Sequence, residues 1–364
     1  MTTTRLFQPL AAGPLSLDNR IAMAPMTRSR APGNLPNTLM ADYYRQRNSA
    51  GMIISEGTSP SPEGLGYSRI PGLFNQAQAD GWREVARAVH EGAAKLVIQL
   101  MHTGRIGHPD NLPDGASMVG PSAVAAVGQM WTDNGGMQAH PVPRAMDDAD
   151  LARVREDYAQ AARLAVAAGV DGVELHAANG YLLAQFLNPK SNIRADRYGG
   201  SAENRRRFVL EVVDAVSAAI GADRVGVRIS PFNTFNDLVS GYPDEEAETI
   251  ALASELAARK IGYLHLIATP GNVPNSTVHG VREAFPGTLM LAGEFNRERA
   301  EAALAMGRAD LVAFARGFIA NPDLPERMRL DLPLSNFDAG TLYTPGAPGY
   351  NDYPAYSPES SVAA

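Results

Sequence analysis

The chain has no cysteine. Disulfides, thiolate nucleophiles, zinc–thiolate sites and cysteine-ligated iron–sulfur clusters are therefore excluded, and any redox chemistry must use another group. Lysine is almost as scarce. Lys95, Lys190 and Lys260 are the only ones, and none falls where a Schiff-base aldolase would need its amine. Basic runs are also missing and the formal charge is −7, which points away from nucleic acid and toward a small-molecule partner. No apolar stretch is long enough to span a bilayer, and the opening MTTTRLFQPL lacks a secretory core, so no membrane association and a cytoplasmic protein are expected. A glycine-rich dinucleotide-binding fingerprint of the Rossmann kind is absent too.

What is present is a repeating pattern. Hydrophobic residues make up 45% of the 364 positions, and short β-branched or apolar runs alternate with longer alanine-rich amphipathic segments. Strands are predicted at Ile21–Ala24, Met52–Ser55, Leu96–Leu100, Gly172–Leu175, Val225–Ile229, Tyr263–Ile267, Leu289–Ala292 and Leu311–Phe314. Helices are predicted at Asp80–Glu91, Asp148–Ala168, Ala202–Ile220, Asp244–Arg259 and Arg297–Met306, with Gly169 and Gly307 as stops. Eight such units make an α/β fold, a single (β/α)8 barrel domain over residues 1–364. Leu10–Asn19, with a Gly13–Pro14 turn, reads as a hairpin below the first strand. Thr103–Arg144, after the third strand, reads as a long lid or pocket wall. Residues 340–364 read as an irregular strap.

Active sites of this fold collect at the C-terminal strand ends. Polar or glycine residues recur there: Thr27, Gly57 with Thr58, Gln99 with His102, Arg228, Thr269, Gly293 with Glu294, and Arg316 with Gly317. The richest stretch is Val173–Leu187, VELHAANGYLLAQFL, where His176, Asn179 and Tyr181 follow the apolar end of a strand. Thr58, Thr269 and Glu294 fit better as caps or buried hydrogen-bonding groups. Glycine after the seventh strand and Arg316 after the eighth match the usual phosphate site of barrels. Flavin mononucleotide (FMN) would place its phosphate there and its ring beside Thr27, Gln99, Arg228 and His176. A metal-dependent hydrolase would need carboxylates converging with His102, His176 or His265, and the sequence offers no evident set, so no metal is expected.

Seven motifs in order, NRIAMAPMTRSR, YYRQRNSAGMIISEGT, VIQLMHTGR, VELHAANGYLLAQFLNPKSNIRADRYGGSAENRRRF, GVRISP, VAFARGFIANPDLPERM and GYNDYP, resemble the Old Yellow Enzyme family along essentially the whole chain. The resemblance is to its bacterial branch of N-ethylmaleimide, pentaerythritol tetranitrate and morphinone reductases. It implies an FMN-containing barrel that reduces activated alkenes with NADH or NADPH in ping-pong turnover. By that resemblance Pro25, Met26 and Gly57 contribute backbone to the ring site, and Thr27 hydrogen-bonds the flavin carbonyl. Gln99 pairs with the pyrimidine edge, Arg228 stabilises the reduced ring, and Gly293, Ala315 and Arg316 hold the phosphate. His176 and Asn179 donate to the substrate's carbonyl or nitro oxygen, and Tyr181 protonates the α-carbon. Tyr67, Met101 and Tyr350 resemble pocket-lining positions, though both tyrosines fit simple packing as well.

Three departures bear on substrate range. Met101 stands where many relatives have Trp, Asn179 where some have a second His, and Ala315 where Gly is common. An amide donates but cannot become cationic, and Met is slimmer and more adaptable than indole. The alternative to an enzyme is a flavin-binding redox sensor or carrier without turnover, for which Tyr181 would have no use. Monomer and homodimer both remain open at this point.

Overall fold

The computed structural model describes residues 4–357. Residues 1–3 and 358–364, the latter part of the expected strap, lie outside the described residues. The strands in chain order are β1 (Leu10–Ala12), β2 (Leu15–Leu17), β3 (Ile21–Met23), β4 (Met52–Ile54), β5 (Lys95–Leu100), β6 (Val119–Gly120), β7 (Gln129–Thr132), β8 (Gly136–Ala139), β9 (Arg144–Ala145), β10 (Gly172–Ala177), β11 (Val225–Ile229), β12 (Tyr263–Ile267), β13 (Thr288–Ala292) and β14 (Leu311–Phe314). Eight of them close a parallel barrel in the order β10-β11-β12-β13-β14-β3-β4-β5, so the expected (β/α)8 architecture is present.

The strands are apolar on the face toward the helices and, over much of the barrel, on the inner face as well, yet the two faces carry different residues. Ala22, Ala24, Met52, Ile54, Val97, Tyr263, Met290, Ala292, Leu311 and Ala313 form a single buried cluster inside the barrel. Their neighbours, such as Met23, Ile53, Leu175, Val227, Leu264 and Val312, join the larger cluster beneath the helices. The inward residues of β3, β13 and β14 near the C-terminal rim are alanines, which keeps that side of the barrel mouth open. The opposite end is plugged by the β1–β2 hairpin, whose Ala12, Leu15 and Leu17 belong to the interior cluster. Gly13 turns this hairpin at φ 59°, and a Cβ there would stand 3.2 Å from Asp223 O, which leads into β11. The hairpin expected from Leu10–Asn19 is therefore the barrel floor.

The outer helices are α1 (Thr38–Arg45), α2 (Gln76–Val89), α3 (Asp148–Ala167), α4 (Leu182–Leu187), α5 (Ala202–Ile220), α6 (Glu245–Ala258), α7 (Asn275–Ala284), α8 (Arg297–Ala305), α9 (Arg316–Ala320) and α10 (Leu324–Leu330). Helix α2 starts earlier than its apolar period indicates, because the Asn75 side chain accepts from Gln78 N and caps it. Helices α1 and α7 escaped the sequence pattern. The first is only 8 residues long, and the second, NSTVHGVREA, carries Ser, Thr, Val and Gly, which are weak helix formers. No helix among the described residues is long and apolar enough to cross a membrane.

Two additions differ from plain loops. The segment Thr103–Arg144 contains the antiparallel β7–β8 hairpin and, with Arg144 and Ala145, the short β6–β9 pair. The C-terminal strap is clamped onto the barrel by buried arginines. Arg28 donates to Gly349 O at 2.6 Å and Arg30 to Thr341 O at 2.7 Å.

Candidate functional site

Strand alternation places Gln99, Glu174, His176, Arg228 and His265 on the inner face, above the apolar floor. Register then makes neighbours of them: Glu174 lies opposite Gln99, His176 opposite Arg228, and Arg228 opposite His265. His176 is thus the penultimate residue of β10, inside the strand rather than beyond it as its sequence position indicated.

Glu174 organises this layer. Its buried carboxylate accepts from Gln99 Nε2 at 2.8 Å and from Tyr263 Oη at 3.0 Å, and lies 2.8 Å from His265 Nδ1. Burial alone would raise its pKa, but His265, Arg228 and Gln99 together hold it below the ordinary carboxylate range. Glu174 is the carboxylate partner of His265 that was not evident in the sequence. The signal was available, since Glu174 and His176 are two residues apart on a strand and must share a face.

Among the described residues the Arg228 side chain makes no hydrogen bond, and its Nε is buried without a partner. Its pKa is lowered by burial, opposed by Glu174. A buried arginine with nothing to donate to is costly unless a ligand supplies an acceptor. Beside it, His176 is held neutral, its pKa pushed well below the usual value by burial and by Arg228 and His265. The Nδ1 atom of His176 is likewise buried without a partner.

Asn179 and Tyr181 sit on the turn from β10 into α4. Asn179 adopts φ 56°, a left-handed conformation that asparagine tolerates better than most residues. The Tyr181 ring meets His176 edge-on with centroids 4.8 Å apart. Its hydroxyl lies 3.0 Å from that of Tyr67. Burial raises the pKa of Tyr181 and drives that of Tyr67 well above the usual value, so both phenols stay protonated at neutral pH.

A cavity of about 570 Å³ opens beside this group. It is lined by Ala24, Arg228, Thr269, Gly293, Glu294, Ala315, Arg316 and Gly317, among others. His176, Asn179 and Tyr181 are not in that lining; His176 adjoins it through its register neighbour Arg228. Arg316 is exposed and forms no ion pair or hydrogen bond with the described residues, which leaves its guanidinium available to an anion. Gly293 has φ 127°, and a Cβ there would lie 2.8 Å from the Ala268 and Thr269 backbone. Its missing side chain therefore makes room for the neighbouring strand end.

The remaining expected residues divide. Pro25, Met26 and Thr27 are partly exposed between buried neighbours, and the Thr27 hydroxyl has no partner among the described residues. Met101 is buried against Tyr181 and Tyr67 and folds over Gly57, where a Cβ would come within 2.5 Å of its sulfur. The Met for Trp exchange is thus coupled to a glycine beneath it. Tyr350 stands elsewhere: its ring stacks on Tyr43 at 4.0 Å under Arg28 and Arg30, so the packing alternative describes its surroundings. Thr58 is wholly buried and donates to Glu56 O at 2.9 Å. His102, fully buried with its pKa driven down to about 3, accepts from Gly104 N at 3.1 Å and is structural.

Asn233 and Asn236, in the loop after β11, were missed by sequence reasoning, although both contact the Asn179 turn. No local pattern marks them, because their approach depends on left-handed residues at Phe232, Asn236 and Asp237.

Comparison with known proteins matches residues 5–335 to the NADH:flavin oxidoreductase / NADH oxidase family. A probable flavin mononucleotide-dependent alkene reductase of Leishmania infantum is 42% identical over 355 residues, covering 96% of this chain and 97% of the relative. The structure of morphinone reductase in complex with tetrahydroNAD superposes with a TM-score of 0.92 at 45% identity, over 97% of this chain and 98% of the other. An Old Yellow Enzyme homologue from Zymomonas mobilis gives a TM-score of 0.92 at 38% identity, over 96% and 99%.

Proposed function

The chain belongs to the NADH:flavin oxidoreductase / NADH oxidase family, and from that premise and the geometry of the barrel mouth we propose that it is an FMN-dependent ene-reductase acting on small activated alkenes such as enones, maleimides and nitroalkenes. The observation that carries the reading is buried Arg228, whose Nε has no hydrogen-bond partner among the described residues, next to a neutral His176 and a protonated Tyr181.

The residues fit the cofactor. Arg228 offers a positive charge with no protein acceptor, and Gln99 turns its Nε2 to Glu174 and so keeps Oε1 for a ring N–H. Thr27 has an uncommitted hydroxyl, while Gly293, Ala315 and Arg316 line the end of the cavity suited to a phosphate. Pro25, Met26 and Gly57 would supply main chain along the ring. When bound, FMN supplies the hydride, taken from NADH or NADPH, that the alkene's β-carbon accepts.

The protein's own groups polarise and protonate. His176, being neutral, holds one ring N–H, and Asn179 holds an amide N–H; both donate to the carbonyl or nitro oxygen, withdrawing electron density from the alkene. Such donors act strongest where water is excluded, and His176 is almost fully buried. Tyr181 keeps its proton for the α-carbon. The Tyr67 and Tyr181 hydroxyls lie 3.0 Å apart and either can donate; with Tyr67 as the donor, the Tyr181 O–H is free to point at substrate. Tyr67 and Met101 wall this side of the pocket.

A carrier without turnover would have no use for a phenol held in this way. The family's reductant fits a cytoplasmic setting, where nicotinamide is kept reduced, and every proposed group lies within one chain, so a monomer suffices and a homodimer is compatible. The purified protein should be yellow, bleach anaerobically with NADH or NADPH, and recolour on addition of a cyclic enone. A colour that bleaches but does not return with any activated alkene would reject the enzyme reading.

A further inference from the structure

The main chain of Asn179 is pinned by the loop that follows β11. Its N–H donates to Ser230 Oγ at 2.8 Å, and its carbonyl accepts from Asn236 Nδ2 at 2.8 Å. The loop is itself anchored, since Phe232 N donates to Glu245 Oε1 at 2.7 Å. With the backbone fixed, the freedom that matters is the sense of the side-chain amide. That sense decides whether Asn179 offers a substrate an N–H or a carbonyl oxygen.

Asn233 Nδ2 donates to Asn179 Oδ1 at 2.9 Å. Two facing amides are ambiguous by themselves, because each can turn over with little change of shape. A third contact removes the ambiguity: the backbone N–H of Phe235 lies 2.8 Å from Asn233 Oδ1, and a peptide N–H can only donate. Asn233 must then show its oxygen to Phe235 and its nitrogen to Asn179, and Asn179 must accept through Oδ1. Among the described residues none of the hydrogen bonds of Asn179 uses Nδ2, and the residue is partly exposed, so that N–H is left for a ligand.

We propose that Asn233 is a positioning residue that locks the Asn179 amide as a donor toward the substrate's carbonyl or nitro oxygen. The polarity originates at the Phe235 peptide and is relayed through Asn233 to Asn179. This inference rests on the reading that Asn179 faces the substrate oxygen. A histidine at position 179 would carry a donor of its own at the ring edge, whereas an asparagine needs its two ends distinguished, and Asn233 distinguishes them.

The test uses the FMN-loaded protein and 4-hydroxybenzaldehyde as probe, its phenolate oxygen standing in for the substrate oxygen, with binding read from the flavin absorbance. In Asn233→Asp the carboxylate can only accept, so it takes hydrogen bonds from both Phe235 N–H and Asn179 Nδ2, turning the Asn179 oxygen toward the probe. Binding should weaken by about tenfold or more, and by more than in Asn233→Ala, where the amide is unpinned but can still donate. Retained FMN content verifies that each variant is folded.

A double-mutant cycle separates the relay from the added charge. In an Asn179→Ala background, Asn233→Asp should change binding by less than about twofold, because there is no amide left to turn. An undiminished effect in that background would mean that the charge acts directly and would overturn the proposal. So would parent-like binding in Asn233→Asp alongside weakened binding in Asn179→Ala. If Asn179→Ala itself binds the probe like the parent, the underlying placement of Asn179 fails and the relay with it, a result distinct from the other two.

Discussion

Glu174 and Gln99 are joined by a hydrogen bond of 2.8 Å in which the amide nitrogen donates and the carboxylate accepts. The carboxylate thereby fixes which end of Gln99 faces the cavity, and its other oxygen holds Tyr263 and His265. In Glu174→Gln one of these partners must face an N–H instead of an oxygen, and the charge beside Arg228 is lost. Either change disturbs the pyrimidine edge of the flavin site at a typical cost of about 1–3 kcal/mol, so FMN affinity should fall roughly ten- to hundredfold. Titration of apoprotein with FMN, followed by fluorescence quenching, measures this directly. An unchanged dissociation constant would show that Gln99 does not depend on Glu174.

Arg316 provides a contrasting case, because it is exposed and its side chain contributes to no ion pair or hydrogen bond among the described residues. Arg316→Ala should leave the thermal unfolding of the apoprotein within about 1 °C of the parent, as surface changes away from structural features usually do. FMN should nevertheless dissociate faster, while turnover of the fraction that remains loaded changes little. Equal FMN retention in variant and parent would remove Arg316 from the phosphate site.

Much of this arrangement is legible in the chain, and the reasons for the exceptions are physical. Inward and outward residues alternate along each strand, so the barrel and its floor can be read from short apolar runs and a Gly–Pro turn. The rim residues follow from that reading, which is how Thr27, Gln99, Arg228 and Arg316 are found. Glu174 could have been found by the same alternation. Asn233 could not, because its link to Asn179 spans 54 positions and depends on a loop with left-handed residues. Tyr350 carries a motif but no record of its surroundings; only the folded strap shows it stacked on Tyr43.

The strap also predicts a pH dependence. Glu56 is fully buried beneath it, accepting from Arg28 N at 3.0 Å and Ser29 N at 3.2 Å, and burial raises its pKa from 4.5 to about 7. A raised pKa means that the folded state keeps a proton that the unfolded chain has released. The contribution to stability is therefore fully present below about 4.5 and is lost as pH rises through about 7. Glu56→Gln retains the acceptor oxygen but not the titration. Urea unfolding across that window should show a decline in the parent, of up to about 3 kcal/mol, that is missing from the variant. Parallel pH profiles for the two proteins would assign the decline to other groups.

The central claim is that Tyr181 delivers the proton and that His176 and Asn179 activate the alkene beside it. Tyr181→Phe keeps the ring that packs edge-on against His176 and deletes only the acid. Stopped-flow measurement of both half-reactions in this variant is the most direct test. The account predicts that flavin reduction by the nicotinamide persists, while reoxidation by a cyclic enone slows by up to ~10²–10⁴-fold, and reoxidation by a nitroalkene slows less because a nitronate can leave before it is protonated. Slowed flavin reduction with enone reoxidation intact would contradict it.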